Sequence, residues 1–101
     1  MQTVRSKNGV PIRLTDERWI HITEEHSELA GYYYDVLEVI QQPLSIYEGK
    51  SGELIAVKEI NTGKFVVVVY KEVSGDDGFV ITAFLTRRIK QIEKRGKLWP
   101  K

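Results

Sequence analysis

Two histidines, two threonines and several cations are the side chains of this sequence that could do chemistry. His21 and His26 lie five residues apart in HITEEHSEL, a segment with helical periodicity. Helical histidines that share a metal ion are spaced four apart, whereas five residues turn the helix by about 500° and separate the rings. The chain has no cysteine, no serine in a nucleophile elbow and no glycine-rich phosphate loop. The sequence therefore predicts no metal site, no cofactor and no cysteine or serine nucleophile.

These residue types do support metal-independent cleavage of RNA, in which the ribose 2′-hydroxyl attacks the adjacent phosphodiester. That reaction needs a group that exchanges a proton and groups that stabilise charge on the phosphate oxygens. His26 can exchange a proton near neutral pH, Lys58 or an arginine can stabilise charge, and Thr82 and Thr86 can hydrogen-bond the phosphate. Structural roles stay open for the same residues: His26 as a core-edge histidine, Thr82 as a strand hydroxyl, and Lys58 as a solubilising residue on a strand.

The threonines belong to a largely apolar run, Phe79 to Arg88, that follows Gly78 and is short for a helix. It is predicted to be a buried strand, in which alternate side chains share a face. The predicted faces are Phe79, Ile81, Ala83 and Leu85 on one side, and Val80, Thr82, Phe84, Thr86 and Arg88 on the other. One face is therefore apolar, and the other mixes hydroxyls, a ring and a cation.

Two helices are predicted before this strand. Thr15 is the expected N-cap of a helix from Asp16 to Ser27, on which His26 ends the buried stripe and His21 points to solvent. A second helix is expected between Leu29 and Gln42, interrupted at Gly31 and ended by Pro43. His26 would pack with its helix on one face of the sheet while Thr82 lies on the other. The two can therefore meet only near a sheet edge or at strand ends.

The remaining segments predict strands joined by short turns. The expected strands are Leu44 to Glu48, Glu53 to Ile60, Phe65 to Tyr70 and the run from Phe79. Because short connections join antiparallel neighbours, the predicted fold is a single α+β domain with two N-terminal helices on a four-stranded antiparallel sheet, followed by a short basic C-terminal segment. Val10 to Leu14 suits an edge strand or an extended lead-in, and Leu98 and Trp99 are expected to dock on the body.

Positive charge is concentrated at the end of the chain. Residues 87–101 hold seven basic side chains and one acidic, a balance of +6, whereas the first 86 residues have a balance of −5. Such a segment can bind RNA through Arg88, Lys94 and Arg95, or it can be a solvated tail that neutralises the acidic helices. The sequence lacks both a signal-peptide pattern and the roughly 18 to 20 apolar residues of a membrane span, which predicts a cytoplasmic protein without membrane contact.

The motifs resemble those of small barnase-like proteins, in the superfamily of barnase, EndoU, the colicin RNases and the RelE-type toxins. The likeness runs from about Ile12 to Trp99. The family's helix carries two histidines five apart with Pro-Glu-Leu after the second, and its strand carries Thr-Ala-Tyr or Thr-Ala-Phe. The matching residues here are His21, His26, Glu28, Leu29, Thr82, Ala83 and Phe84, while Ser27 replaces the proline.

The resemblance implies a metal-independent ribonuclease, often the toxin of a pair whose antitoxin is encoded by a neighbouring gene. It carries catalytic roles over to His26 and Thr82, and more weakly to Lys58, Thr86 and Arg87. Two further hypotheses remain open. The chain can be a catalytically inactive module that binds RNA or a protein, or an acidic partner protein can cover its basic segment.

Overall fold

The computed structural model describes residues 1–101, which form seven β-strands, three α-helices and one short 3₁₀ helix. The strands are β1 (Gln2–Arg5), β2 (Pro11–Leu14), β3 (Ser45–Glu48), β4 (Leu54–Asn61), β5 (Lys64–Ser74), β6 (Asp77–Thr86) and β7 (Lys97–Trp99). The helices are α1 (Asp16–Glu25), the 3₁₀ helix (Ser27–Leu29), α2 (Tyr33–Gln41) and α3 (Lys90–Glu93). All strands belong to one mixed sheet with the order β1-β2-β6-β5-β4-β3-β7. No helix is long and apolar enough to cross a membrane.

The predicted fold of two helices on a four-stranded antiparallel sheet is wrong. Strands β3 to β6 do form an antiparallel series, but β1, β2 and β7 extend the sheet at both ends. Strand β2 lies inside the sheet, because it pairs antiparallel with β1 and parallel with β6. Strands β1 and β7 have only four and three residues, too few for an alternating pattern to identify them. The segment Val10 to Leu14 was expected to be an edge strand or an extended lead-in, but the strand it contains, β2, is not at the edge of the sheet.

Helix α1 begins as predicted and ends early. The Thr15 side chain accepts a hydrogen bond of 3.1 Å from the backbone N–H of Arg18, which satisfies one of the free donors of the first turn. The last helical residue is Glu25 rather than Ser27, because His26 leaves the helical conformation with φ −131° and ψ 72°. The chain then turns through the 3₁₀ helix, so His26 stands at the junction between the two helices.

The sheet is covered on both faces. On one face, which we call the α1–α2 face, side chains such as Val66, Val68 and Tyr70 pack against Ile22 of α1 and Ile40 of α2 in the main core. On the other, the α3 face, a smaller cluster contains Tyr47, Ile55, Val57 and Val67 together with Phe65, Val69, Phe84, Ile89 and Ile92. Ile89 and Ile92 come from α3 and its start, so this short basic helix covers part of the second face.

A bulge in β6 changes the predicted pattern of faces. Val69 pairs with Thr82, but the next residue, Tyr70, pairs with Val80, which leaves Ile81 as the extra residue. Val80 consequently points into the main core, and its predicted position on the face of Thr82 is wrong. Thr82, Phe84 and Thr86 share the α3 face, because their partners Val69, Val67 and Phe65 belong to that cluster.

The two ends of the sheet curl towards each other around α2, which contacts β1, β4 and β5. In the turn between β1 and β2, Lys7 places its ammonium group 4.5 Å from the centre of the Trp99 ring in β7. Ser6 and Asn8 of the same turn hydrogen-bond the Glu72 carboxylate on β5. Leu98 stays partly exposed, whereas Trp99 packs against the main core. The last strand thus contacts the β1–β2 turn through Trp99 without pairing with β1.

Tyr70 gives this fold a pH-dependent stability. Its side chain is 0% exposed, its hydroxyl has no hydrogen-bond partner in the chain, and burial raises its pKa strongly. The unfolded chain loses this proton near pH 10, whereas the folded chain keeps it. The contribution of Tyr70 to the free energy of unfolding is therefore complete below pH 10 and decreases as the pH rises above it.

We expect Tyr70→Phe to remove this loss and to raise the free energy of unfolding at pH 8 by about 1 kcal/mol, because a buried unpaired hydroxyl is removed. Urea unfolding of both proteins at pH 8 and pH 11 measures the two effects. A variant that is less stable than the natural protein at pH 8 would contradict the assignment.

Candidate functional site

The candidate site lies at an open edge of β6. Strand β2 pairs only with Gly78 and Phe79, so the second half of β6 has no neighbouring strand on that side. Helix α1 and the 3₁₀ helix pack there instead. His26 therefore reaches a residue of the α3 face: its ring centre lies 5.9 Å from that of Phe84, at an interplanar angle of 37°. The sequence predicted that His26 could meet the face of Thr82 only near a sheet edge or at strand ends, and this part of β6 is such an edge.

The two histidines have different surroundings. The His26 side chain is 34% exposed, its Nδ1 lies 3.6 Å from Glu28 Oε2, and its Nε2 makes no hydrogen bond within the chain. His21 is 61% exposed and faces Glu25 on the same helix, as predicted for a solvent-facing residue. No hydrogen bond joins the His26 ring to Glu28 at this distance, so the two side chains form an ion pair only when the imidazole carries a proton. The Nε2 atom of His26 has no partner within the chain.

A cleft of about 250 Å³ adjoins the His26–Glu28 pair. It is lined by Glu28, Lys64, Leu85, Thr86 and Arg87, and we call it the Arg87 cleft. Phe65 pairs with Thr86 in antiparallel strands, so the adjacent residues Lys64 and Arg87 lie side by side. The Thr86 hydroxyl oxygen accepts a 3.0 Å hydrogen bond from the backbone N–H of Arg88, which leaves its own proton free to donate. Two cations and a hydroxyl therefore face one small volume.

Thr82 lies on the same strand at a different place. It is four residues from Thr86, which corresponds to about 13 Å along a strand, so one phosphate group cannot contact both hydroxyls. Phe84 stands between the two threonines on the α3 face and carries the contact with His26. Thr82 and the Arg87 cleft therefore lie on opposite sides of Phe84 along β6.

Lys58 is not brought to this site. Its strand partner Val66 points into the main core, so Lys58 belongs to the α1–α2 face, opposite Thr82 and Thr86. Its ammonium group lies 2.7 Å from Glu38 Oε1 on α2, with the side chain 32% exposed. This ion pair joins the helix to the sheet.

The basic residues of the C-terminal segment surround α3. Arg87 and Arg88 line a second cleft, of about 480 Å³, together with Lys90, Phe65 and Ile89. Arg95 lines a third cleft at the other side of α3, and Lys94 is exposed at the end of that helix. The three residues predicted to bind RNA therefore lie around α3, near the α3 face.

Two residues of the site were not predicted as functional. Glu28 was visible only as part of the motif that follows His26, without a role of its own. Lys64 follows the turn after β4 and gives no signal until the register of β5 with β6 is known. The structure contains no group of three or more His, Cys, Asp or Glu side chains that could hold a metal ion.

A scan against models of protein families, a search of curated proteins and a search of solved structures found no match to this chain. The resemblance to barnase-like proteins therefore rests on the sequence motifs alone. The residues at the open edge of β6 provide an independent basis for a function.

Proposed function

We propose that this protein is a metal-independent endoribonuclease that cleaves RNA through the ribose 2′-hydroxyl. One observation carries the proposal: the His26–Glu28 pair stands at the open edge of β6, beside a cleft lined by Lys64, Thr86 and Arg87. A proton-exchanging group, two cations and a hydroxyl are the groups that this reaction needs.

In the proposed reaction, His26 takes the proton of the 2′-hydroxyl as the 2′-oxygen bonds to phosphorus. The bond between phosphorus and the 5′-oxygen breaks, which leaves a 2′,3′-cyclic phosphate, and the departing 5′-oxygen takes a proton from water. Glu28 stabilises the imidazolium ion until His26 returns its proton to solvent. The reaction therefore needs only one histidine, because water supplies the proton of the departing 5′-oxygen.

The charge that develops on the phosphate oxygens is matched by the Arg87 cleft. Arg87 can donate two parallel hydrogen bonds to a phosphate, Lys64 adds a second positive charge, and the Thr86 hydroxyl donates a further bond. Lys64 begins β5 and Arg87 directly follows β6, so the register of these two strands places both cations beside Thr86.

The proposal includes a biological role as the toxin of a two-gene pair, acting on RNA in the cytoplasm. An unspecific ribonuclease needs a partner that holds it inactive, and the net charge of +6 in residues 87–101 suits an acidic antitoxin protein. The resemblance to toxin families supports the same role.

The second candidate function is a catalytically inactive module that binds RNA or a protein. The observation that favours it is the position of Arg88, Lys90, Lys94 and Arg95 around α3 rather than at His26. It predicts RNA binding that weakens steeply with salt and with charge reversal at Lys94 and Arg95, without cleavage.

The Arg87 cleft gives the first test. We expect the double variant Lys64→Ala/Arg87→Ala to lower the cleavage rate by about 100-fold, because the phosphate charge loses both cations. Cleavage of a fluorescently labelled RNA in the presence of EDTA measures the rate and excludes a bound metal. Arg18→Ala, which removes an exposed cation near the start of α1, is the control. Equal rates for the double variant and the natural protein would show that another site does the chemistry.

A further inference from the structure

We propose that the cleft between α3 and strands β4 to β6 binds one unpaired nucleobase, which makes single-stranded RNA the substrate. This inference rests on the proposed ribonuclease function. The cleft has a volume of about 320 Å³ and lies on the α3 face. We call it the base cleft.

The floor of the base cleft is apolar, and its rim is charged. Ile55, Val69, Phe84 and Ile92 form the floor, and Lys50, Glu53 and Arg95 stand at the rim. Proteins that bind single strands place bases on apolar and aromatic surfaces and hold the backbone with cations. A flat base fits this floor, and the attached phosphates would meet Lys50 and Arg95 outside it.

The base cleft is joined to the proposed catalytic site by one side chain. Phe84 lines the cleft and also contacts the His26 ring. Thr82 pairs with Val69, another residue of the floor, and so stands at the border of the cleft. A strand with one base in this cleft would run past Thr82 and Phe84 to reach His26. This path gives Thr82 a role in positioning the backbone, separate from the role of Thr86.

Glu53 adds a hydrogen-bond acceptor to the rim. Its carboxylate accepts a 2.8 Å bond from the backbone N–H of Ser51, and this bond, assisted by the nearby Arg95, lowers the pKa of Glu53. The ionised side chain lies across Gly49, where a Cβ atom would collide with it. A fixed carboxylate can accept the N–H groups that unpaired bases expose on their edges.

Single strands fit this site better than duplexes do. In a duplex each base is stacked between its neighbours and its edge is paired, so its flat face is not available to the cleft. The cleft suits an RNA strand because one strand can place a flat base on the apolar floor and its backbone phosphates beside Lys50 and Arg95.

The test uses 2′-O-methyl RNA hexamers, which cannot be cleaved, so that binding is measured independently of catalysis. One hexamer is intact, and the others each lack the base at one position. We expect at least one abasic hexamer to bind the natural protein about 10-fold more weakly than the intact one, since stacking of a single base contributes that much. A duplex of the same sequence should bind more weakly than the intact single strand.

Variants locate this effect. Ile92→Asp should abolish the difference between intact and abasic hexamers, and Glu53→Ala, which removes the acceptor for the base edge, should reduce it if Ile92→Asp does not fold. Lys94→Glu is the matched control: it lies on the same helix end, lines no cleft and should weaken all hexamers equally.

Equal affinities for intact and abasic hexamers in the natural protein would overturn the inference and would leave the cleft to an apolar side chain of a protein partner. Base-dependent binding without any cleavage of ordinary RNA would instead retain the base cleft and refute the ribonuclease. Cleavage of ordinary RNA without base-dependent binding would retain the ribonuclease and refute the base cleft.

Discussion

Replacement of His26 by alanine is expected to lower the rate of RNA cleavage between about 100-fold and 10,000-fold, the usual contribution of a general acid or base. The half-buried ring stands beside Glu28 and Phe84, and no other histidine lies at the open edge of β6. Water would have to replace the imidazole as proton acceptor. The rates of both proteins on labelled single-stranded RNA, at several pH values, measure the loss.

The matched control for this change is His21→Ala, on the same helix. His21 is mostly exposed and its partner is Glu25, so its removal should leave cleavage unchanged. Expression of the natural protein in bacteria should arrest growth, whereas the His26 variant should not. Co-expression of the neighbouring gene should restore growth if it encodes the antitoxin. If the His26 variant folds and cleaves at the natural rate, His26 has no catalytic role.

Gly78→Ala is expected to destabilise the fold by about 2–3 kcal/mol, a large part of the stability of a small domain. A Cβ atom at this position would lie 2.5 Å from Ile12 Cδ1 and 2.6 Å from the backbone oxygen of Lys71. Ile12 can move, but the Lys71 oxygen belongs to the adjacent strand, so β5 and β6 would separate locally. The free energy of unfolding in urea measures the cost.

Gly75→Ala, in the same β5–β6 hairpin, provides the comparison. No atom lies within 4 Å of a Cβ at Gly75, so this change should leave the stability unaltered or slightly raised. Gly78→Ala should also reduce cleavage, because α1 follows β2 directly and would shift with it, moving His26. Similar stabilities for the two variants would show that the close approach of β2 and β5 at Gly78 is not required.

The sequence was informative where local chemistry decides the structure. The Thr15 cap, the exposure of His21 and the hairpin order of β3 to β6 follow from nearby residues, and all three are present. The short strands β2 and β7 depend on the partners β6 and β3, which lie far away in the chain, whereas β1 pairs only with the nearby β2. The bulge at Ile81 depends on the pairing of two strands, so strict alternation placed Val80 on the wrong face.

The residues of the candidate site also divide into those that local sequence identifies and those that depend on the fold. His26, Thr86 and Arg87 were identifiable by residue type and motif, and the fold places Thr86 and Arg87 in a cleft beside the His26–Glu28 pair. Lys58 lies on the opposite face, and no periodicity in β4 could show this, because the strand is apolar on both faces. Glu28 and Lys64 join the site only through the 3₁₀ turn and the register of β5.

The contact between Lys7 and Trp99 also bears on the order in which the chain folds. Hairpins β3 to β6 link neighbouring segments and can form early, whereas β2 must find β6, and β7 must reach the turn after β1, across most of the chain. Closing such long loops is entropically costly and therefore late. During synthesis β7 leaves the ribosome after the other six strands, so the nascent chain cannot complete the sheet until residues 97–99 have emerged.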